Sequence, residues 1–361
     1  MNMKEIYKKI KNKERLNTAD ALLLANQADI LTLGELAQTK SQSLNGKKAA
    51  FLLDRNINYT NICTARCSFC AFYRPANHKE GYVLSWKELD EKIDETLRLG
   101  GTRILMQGGF HPDHNTGFYA EMVRHIKSKH PIHVHAFSPA EIHYAAKKDN
   151  LSYHQVVTQL KEAGLGSIPG GGAEILVDRI RNRIAVGKCS ADQWLGAAKA
   201  AHECGIPSTA TMMLGHIETW EERFEHLEKI RTLQDQTHGF ISFIPWTFQP
   251  ENTPLHPKIK KNKDVKLAGA YEYLRFLAIA RLFLDNFQHI QVSLLTQGIK
   301  VAQLGLHFGA DDLGSALIEE NVVRLAGCDQ EVGTEKSKMA AIIREAGFEP
   351  FERDTFYNQI H

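Results

Sequence analysis

The sequence predicts an α/β protein built on a (β/α)8 barrel, and three observations carry that expectation. Apolar β-type runs alternate with helical patterns from about residue 49 onward, the order that yields a parallel sheet with right-handed crossovers. About eight such units fall within residues 50–313, close to the ~250 residues typical of a TIM-type barrel. Glycine, aromatic and polar residues also gather just after the strands, at the rim where barrel active sites sit. A doubly wound open sheet is the alternative topology for the same alternation. No low-complexity linker interrupts residues 50–330, so one barrel domain is expected over 49–325. A helical extension over 1–48 precedes it, and a short C-terminal extension over 326–361 packs on it.

Residues 1–46 read as short helices, with Ile6, Ile10 and Leu22 to Leu24 as apolar positions and Thr32-x-x-Glu35 as a capping-box pattern. The run Ala49-Ala50-Phe51-Leu52-Leu53 opens a strand that continues through Ile57 and Tyr59. Ser85-x-x-Glu88 caps a helix that reaches Leu99 and stops at Gly100-Gly101. Strands over 103–106 and 132–137 flank a helix over 118–129, and Ser138-x-x-Glu141 starts another cap before a helix over 153–163. A short strand over 165–168 runs into Pro169-Gly170-Gly171-Gly172. Helices over 191–204, 219–235 and 265–284 then alternate with strands over 208–214, 240–244 and 290–294. Thr219-x-x-Glu222 is a further capping box, and a final strand is placed near Phe308.

Charge and hydropathy narrow the classes. Lys and Arg number 44 against 42 Asp and Glu, a formal net charge of +2, which argues against a dedicated nucleic-acid binder. No apolar stretch reaches the ~20 residues of a membrane span, and the charged N-terminus carries no secretory core. A reducing cytoplasm is the expected location.

The most informative residues are Cys63, Cys67 and Cys70, a C-x3-C-x2-C loop directly after the first strand. Iron–sulfur clusters are held by cysteine thiolates, normally four for a cubane. Three from one loop would leave one iron open to a small molecule. A structural zinc site, the non-enzymatic alternative, takes four protein donors. Cys189, Cys204 and Cys328 are isolated and read as small buried hydrophobes.

With Phe69 before its third cysteine, the loop resembles that of the radical S-adenosylmethionine (SAM) superfamily. The resemblance extends through Asp54 to Asn61, Cys70-Ala71-Phe72-Tyr73-Arg74, Gln107-Gly108-Gly109, His135-Ala136-Phe137-Ser138-Pro139, Gly171 to Leu176, Gly215-His216-Ile217-Glu218-Thr219 and Pro245-Trp246-Thr247-Phe248-Gln249-Pro250. Over residues 50–325 the chain is similar to the dehypoxanthine futalosine cyclases of the futalosine route to menaquinone. Aminofutalosine synthases and the deazaflavin-forming FO synthases are sister families that share the loop and the Ala310 to Gly314 segment.

The resemblance implies a [4Fe–4S] cluster on Cys63, Cys67 and Cys70, with SAM chelating the fourth iron through its amino and carboxylate groups. It implies reductive cleavage to a 5′-deoxyadenosyl radical, hydrogen abstraction at the ribose C4′ of dehypoxanthine futalosine, and addition of the carbon radical to the benzoate ring. An electron donor such as flavodoxin or ferredoxin is implied as a partner. For SAM, the expected contacts are Gln107, Gly108 and Gly109 near the methionine amino group, and Glu174 and Ser138 near the ribose or amino group. Arg181 is expected at the carboxylate, with Phe69 and Tyr73 beside adenine. Glu141 is placed between a SAM contact and a helix cap. For the substrate, Asp311 and Asp312 are the candidates for ribose hydroxyls and Trp246 and Phe248 for stacking. His111, His135 and His216 are the candidate proton acceptors.

Overall fold

The computed structural model describes residues 2–262, 265–328 and 335–360. Its strands are β1 (Lys48–Ile57), β2 (Arg103–Met106), β3 (His133–Ala136), β4 (Ser208–Leu214), β5 (Phe240–Thr247), β6 (His289–Ile290), β7 (Asp312–Leu317) and β8 (Glu349–Glu352). Parallel pairing gives one run β3-β2-β1-β7 and another β4-β5-β6. Single parallel bridges join the two runs at both seams. Residues 165–168 bridge β3 to β4 through His135–Ser167 and Ile168–Ser208, and Gln291–Asp312 bridges β6 to β7. The ring is thereby closed into a barrel.

Two expectations about the strands change. The segment over 165–168 is held by isolated bridges to its neighbours and forms no regular ladder. An added Cβ on Gly166 would lie 2.3 Å from the His133 ring. Near the C-terminus, Phe308 ends the helix Leu294–His307 and the strand begins only at Asp312. Gly309, at φ 97°, makes the turn between them, a conformation that costs glycine little.

Helices wrap the outside. Side chains bond back to the third residue of the first turn at Ser85, Ser138, Ser152, Ser190 and Thr219, each such cap stabilising by ~1 kcal/mol. The box expected at Thr32 is displaced: Asp29 caps Ile30–Asn45 and accepts from the Thr32 amide at 2.9 Å. The helix expected from Val265 starts at Ala270. Helix Ile30–Asn45 packs on Ala270–Phe283, so the N-terminal helices cover the β5–β7 side of the barrel. At the other extreme of the chain, β8 pairs with the first residues of β1, Lys48 to Phe51, and lies across the barrel's foot.

Inside the barrel the alternation is reversed from the usual apolar filling. Asp54, Asn56 and Asn58 from β1 and its exit, and Arg103, Leu105 and Gln107 from β2 and its exit, face the lumen. Their neighbours Ile57, Ile104 and Met106 are fully buried under the helices. Period-two geometry sorts the two sets. The barrel therefore keeps an open interior, polar along β1 and β2 and apolar at Ile244 of β5 and Leu313 and Leu317 of β7, instead of the layered apolar plug common to the fold.

Candidate active site

Ile57 ends β1, and the chain folds over the mouth of the barrel as the cysteine loop. The loop is fixed by backbone bonds from Cys63 to the Arg74 carbonyl (3.0 Å), from Arg66 to Val186 (3.0 Å) and from Ser68 to Ile184 (2.8 Å). Gly108 and Gly109 let β2's exit pass directly beneath. A Cβ on Gly109 would sit 2.2 Å from the Ile62 carbonyl oxygen, and one on Gly108 would sit 2.4 Å from the Tyr59 ring. These glycines thus serve the seating of the cysteine loop. From the next residue, the Phe110 amide donates to Cys63 Sγ at 3.2 Å.

All three cysteines are free thiols and line one cavity of about 400 Å³ that continues down the lumen. Phe69, Tyr73, Gln107, Gly108, Gly109, Ser138 and Glu174 share its walls. Burial pushes the Cys67 thiol up to about 12, against the pull of nearby Lys188, and raises Cys63 as well. A buried thiol of this kind becomes a thiolate when a metal centre takes the proton's place. Three sulfurs lining one open volume fit a cubane with a vacant iron and a small molecule bound to it.

Lys188 is the residue the sequence reading missed. Its ammonium lies 2.9 Å from Glu174 Oε1 and 5.3 Å above the Phe69 ring. Although burial opposes the charge, Glu174, Cys67 and Cys70 together hold its pKa above the ordinary lysine range. Glu174 itself sits at φ 47°, a left-handed backbone that is costly for a non-glycine residue and concentrates at functional sites. No periodicity marks Lys188, since it arrives on the loop after the short helix Asp178–Ile184.

Glu141 is a brace. Its Oε2 accepts from the Ser138 amide (2.8 Å) and hydroxyl (2.6 Å), while Oε1 accepts from Tyr59 Oη (2.7 Å) and the Gly108 amide (3.1 Å). Burial raises its pKa, and these same bonds pull it back. It ties the Gln107 to Gly109 turn to the helix that Ser138 caps.

Six expected contacts lie away from the cavity. Arg181 points into the protein and donates to the carbonyls of Gly172, Ala173, Ile175 and Cys189, which fills its guanidinium. His216 is fully enclosed beside Glu218, with its Nδ1 accepting from the Ile217 amide at 2.8 Å. Burial lowers its pKa, so the ring is neutral and committed to a local turn. Asp311 and Asp312 stand at the start of β7, at the foot, because the strand begins later than the sequence suggested. Asp311 binds Arg281 (2.5 Å) and His289 (2.6 Å), and Asp312 binds Arg353 (2.5 Å) and Tyr357 (2.5 Å). Among the aromatic and histidine candidates, Trp246 and His135 line the lumen, whereas Phe248 and His111 do not.

A barrel whose mouth carries this loop defines a class of enzyme, and the comparisons agree. Residues 57–230 match the radical SAM superfamily, and residues 237–361 match the CofH/MqnC C-terminal region. The chain belongs to the radical SAM superfamily; it is an enzyme whose cofactors are a [4Fe–4S] cluster and SAM. More narrowly, it is 43% identical to a cyclic dehypoxanthine futalosine synthase of Halalkalibacterium halodurans, over 100% of this chain and 95% of that one. It is 40% identical to an aminodeoxyfutalosine synthase of Thermus thermophilus, over 98% of this chain and 95% of the relative. The crystal structure of methylornithine synthase superimposes with a TM-score of 0.73 at 19% identity, covering 96% of this chain and 97% of that one, a likeness of fold. Among the described residues no helix is long and apolar enough to cross a membrane.

Proposed function

We propose that the chain converts dehypoxanthine futalosine to cyclic dehypoxanthine futalosine in menaquinone biosynthesis. The observation that carries this reading is the continuous cavity from the three cysteines into the barrel lumen, on a chain 43% identical over its full length to a synthase of that name. Held by Cys63, Cys67 and Cys70, the cluster together with SAM would supply the radical chemistry for hydrogen abstraction at the ribose C4′. The protein's residues bind, orient and exclude water. Phe69 and Tyr73 flank the adenine; Gln107 and the backbone of Gly108 and Gly109 meet the methionine end; Glu174 accepts from the amino group or ribose. Lys188 pairs with Glu174 and offsets negative charge at the sulfurs. Trp246 offers the substrate an aromatic wall.

A cytoplasmic one-electron carrier of the flavodoxin or ferredoxin type reduces the cluster in this reading, and neither nucleic acid nor membrane takes part. The test is an anaerobic assay of reconstituted protein with SAM and a reductant. Dehypoxanthine futalosine should disappear with equal yields of 5′-deoxyadenosine and the cyclic product. Consumption of an aromatic enol ether with bicarbonate, or of a diaminouracil with tyrosine, in its place would assign the chain to a sister reaction.

A further inference from the structure

We propose that Arg103, at the foot of the lumen, is a binding site for a carboxylate, and that the carboxylate is that of the substrate's benzoate ring. The second half rests on the function proposed above; the first stands on geometry alone.

Arg103 opens β2, and its inward register puts it on the same wall as Leu105 and Gln107. At ~3.3 Å per residue it lies about 13 Å below Gln107, a depth suited to a two-ring molecule standing upright beneath the cofactors. Its side chain is only 10% exposed. The Nε edge is locked to Asp54 Oδ2 at 2.7 Å, and Asp54 is itself fully buried and held by the Ser315 hydroxyl. The guanidinium is therefore oriented before any ligand arrives.

What distinguishes Arg103 is the state of its other two nitrogens. In Arg181, Arg275, Arg281 and Arg353, both terminal nitrogens are taken up by carbonyls, carboxylates or a phenol. Arg103 makes no hydrogen bond through Nη1 or Nη2 to any described residue, and it faces the cavity. A buried, pre-oriented guanidinium with a free fork matches a planar carboxylate bidentately. His135 stands on the neighbouring strand, with Nδ1 engaged by Ser167 Oγ at 2.7 Å and its ring lining the same lumen. Burial and then Arg103 keep that ring neutral. It adds a polar edge without competing for the anion. Seating the benzoate here leaves the ribose as the end that reaches toward the mouth, where the radical forms.

Two measurements test the site. In the first, reconstituted protein is titrated with benzoate and with benzamide, with no turnover required. Wild type should bind benzoate about 10- to 100-fold more tightly, the range of a charge-assisted pair, and Arg103→Gln should bind the two alike. In the second, Arg103→Gln should raise the KM for dehypoxanthine futalosine by a similar factor with a smaller change in kcat. Arg103→Lys keeps a cation beside Asp54 and should recover part of the loss; it also serves if the glutamine variant does not fold. Undetectable benzoate binding, equal affinity for both probes in wild type, or an unchanged KM in a folded, iron-loaded variant overturns the proposal. Benzoate selectivity in a protein that leaves dehypoxanthine futalosine untouched would uphold the anion site and refute the assigned substrate.

Discussion

At the mouth of the barrel the reactive groups are left with bonds to make: three thiols lining one cavity, Lys188 held by one carboxylate, and a glycine turn facing open space. At the start of β7, on the foot, charge is closed upon itself. Asp311 with Arg281 and His289, and Asp312 with Arg353 and Tyr357, form two buried sets in which the carboxylates are doubly engaged. The contrast separates chemistry from architecture. Buried ion pairs seldom add net stability over apolar packing, but breaking one strands a charge. The β7 end of the foot is thus rigid because each of its charges depends on another, whereas side chains at the mouth can change with the fold kept and function lost.

Substitutions at either end sharpen that contrast. The largest effect is expected at the mouth. Cys67→Ala should reduce SAM cleavage to background and lower iron content, while the far-ultraviolet circular dichroism and melting temperature stay near wild type. Deoxyadenosine production retained by that variant would remove Cys67 from the ligand set. At the foot the pattern should invert. Asp312→Ala leaves Arg353 and Tyr357 without their carboxylate and should cost about 3–5 kcal/mol, read as a lower denaturant midpoint, with iron per folded molecule unchanged.

The smallest effect is pH-dependent. Burial, then Arg103, pushes His133 down to about 4 from 6.5. Between those values the unfolded chain binds the proton and the folded one does not. Stability is therefore complete above pH 6.5 and is lost as pH falls toward 4. His133→Gln should shrink that loss by roughly 1–3 kcal/mol, measured as the difference between denaturant midpoints at pH 7 and pH 4.5. His135, lowered further, keeps part of the slope in the variant.

Local chemistry was legible and long-range pairing was not. The capping boxes at Ser85, Ser138 and Thr219 need only four residues to be recognised, and all three form. The cysteine spacing likewise lies within one loop. Asp311 and Asp312, in contrast, were placed at a rim by counting from a strand near Phe308; a shift of a few residues moved them to the opposite end. Arg181 looked available because its partners are carbonyls, which the sequence does not reveal. The polar inward register of Asp54, Asn56 and Asn58 is blurred in the sequence by Arg55, a charged residue on the opposite face that pairs with Glu95 and Glu319. It was overlooked because barrel interiors are expected to be apolar. Arg103 passed as an ordinary strand residue, since its significance is the absence of a partner on two nitrogens.

The pairing of β8 with the first residues of β1 has a consequence for biogenesis. The strand leading to the cysteine loop is among the first barrel segments to leave the ribosome, and its lateral partner is among the last. Until residues 349–357 emerge, Asp312 waits without Arg353 and Tyr357, and the floor is unsealed. Iron and sulfide delivered before that moment would meet thiols above an open floor.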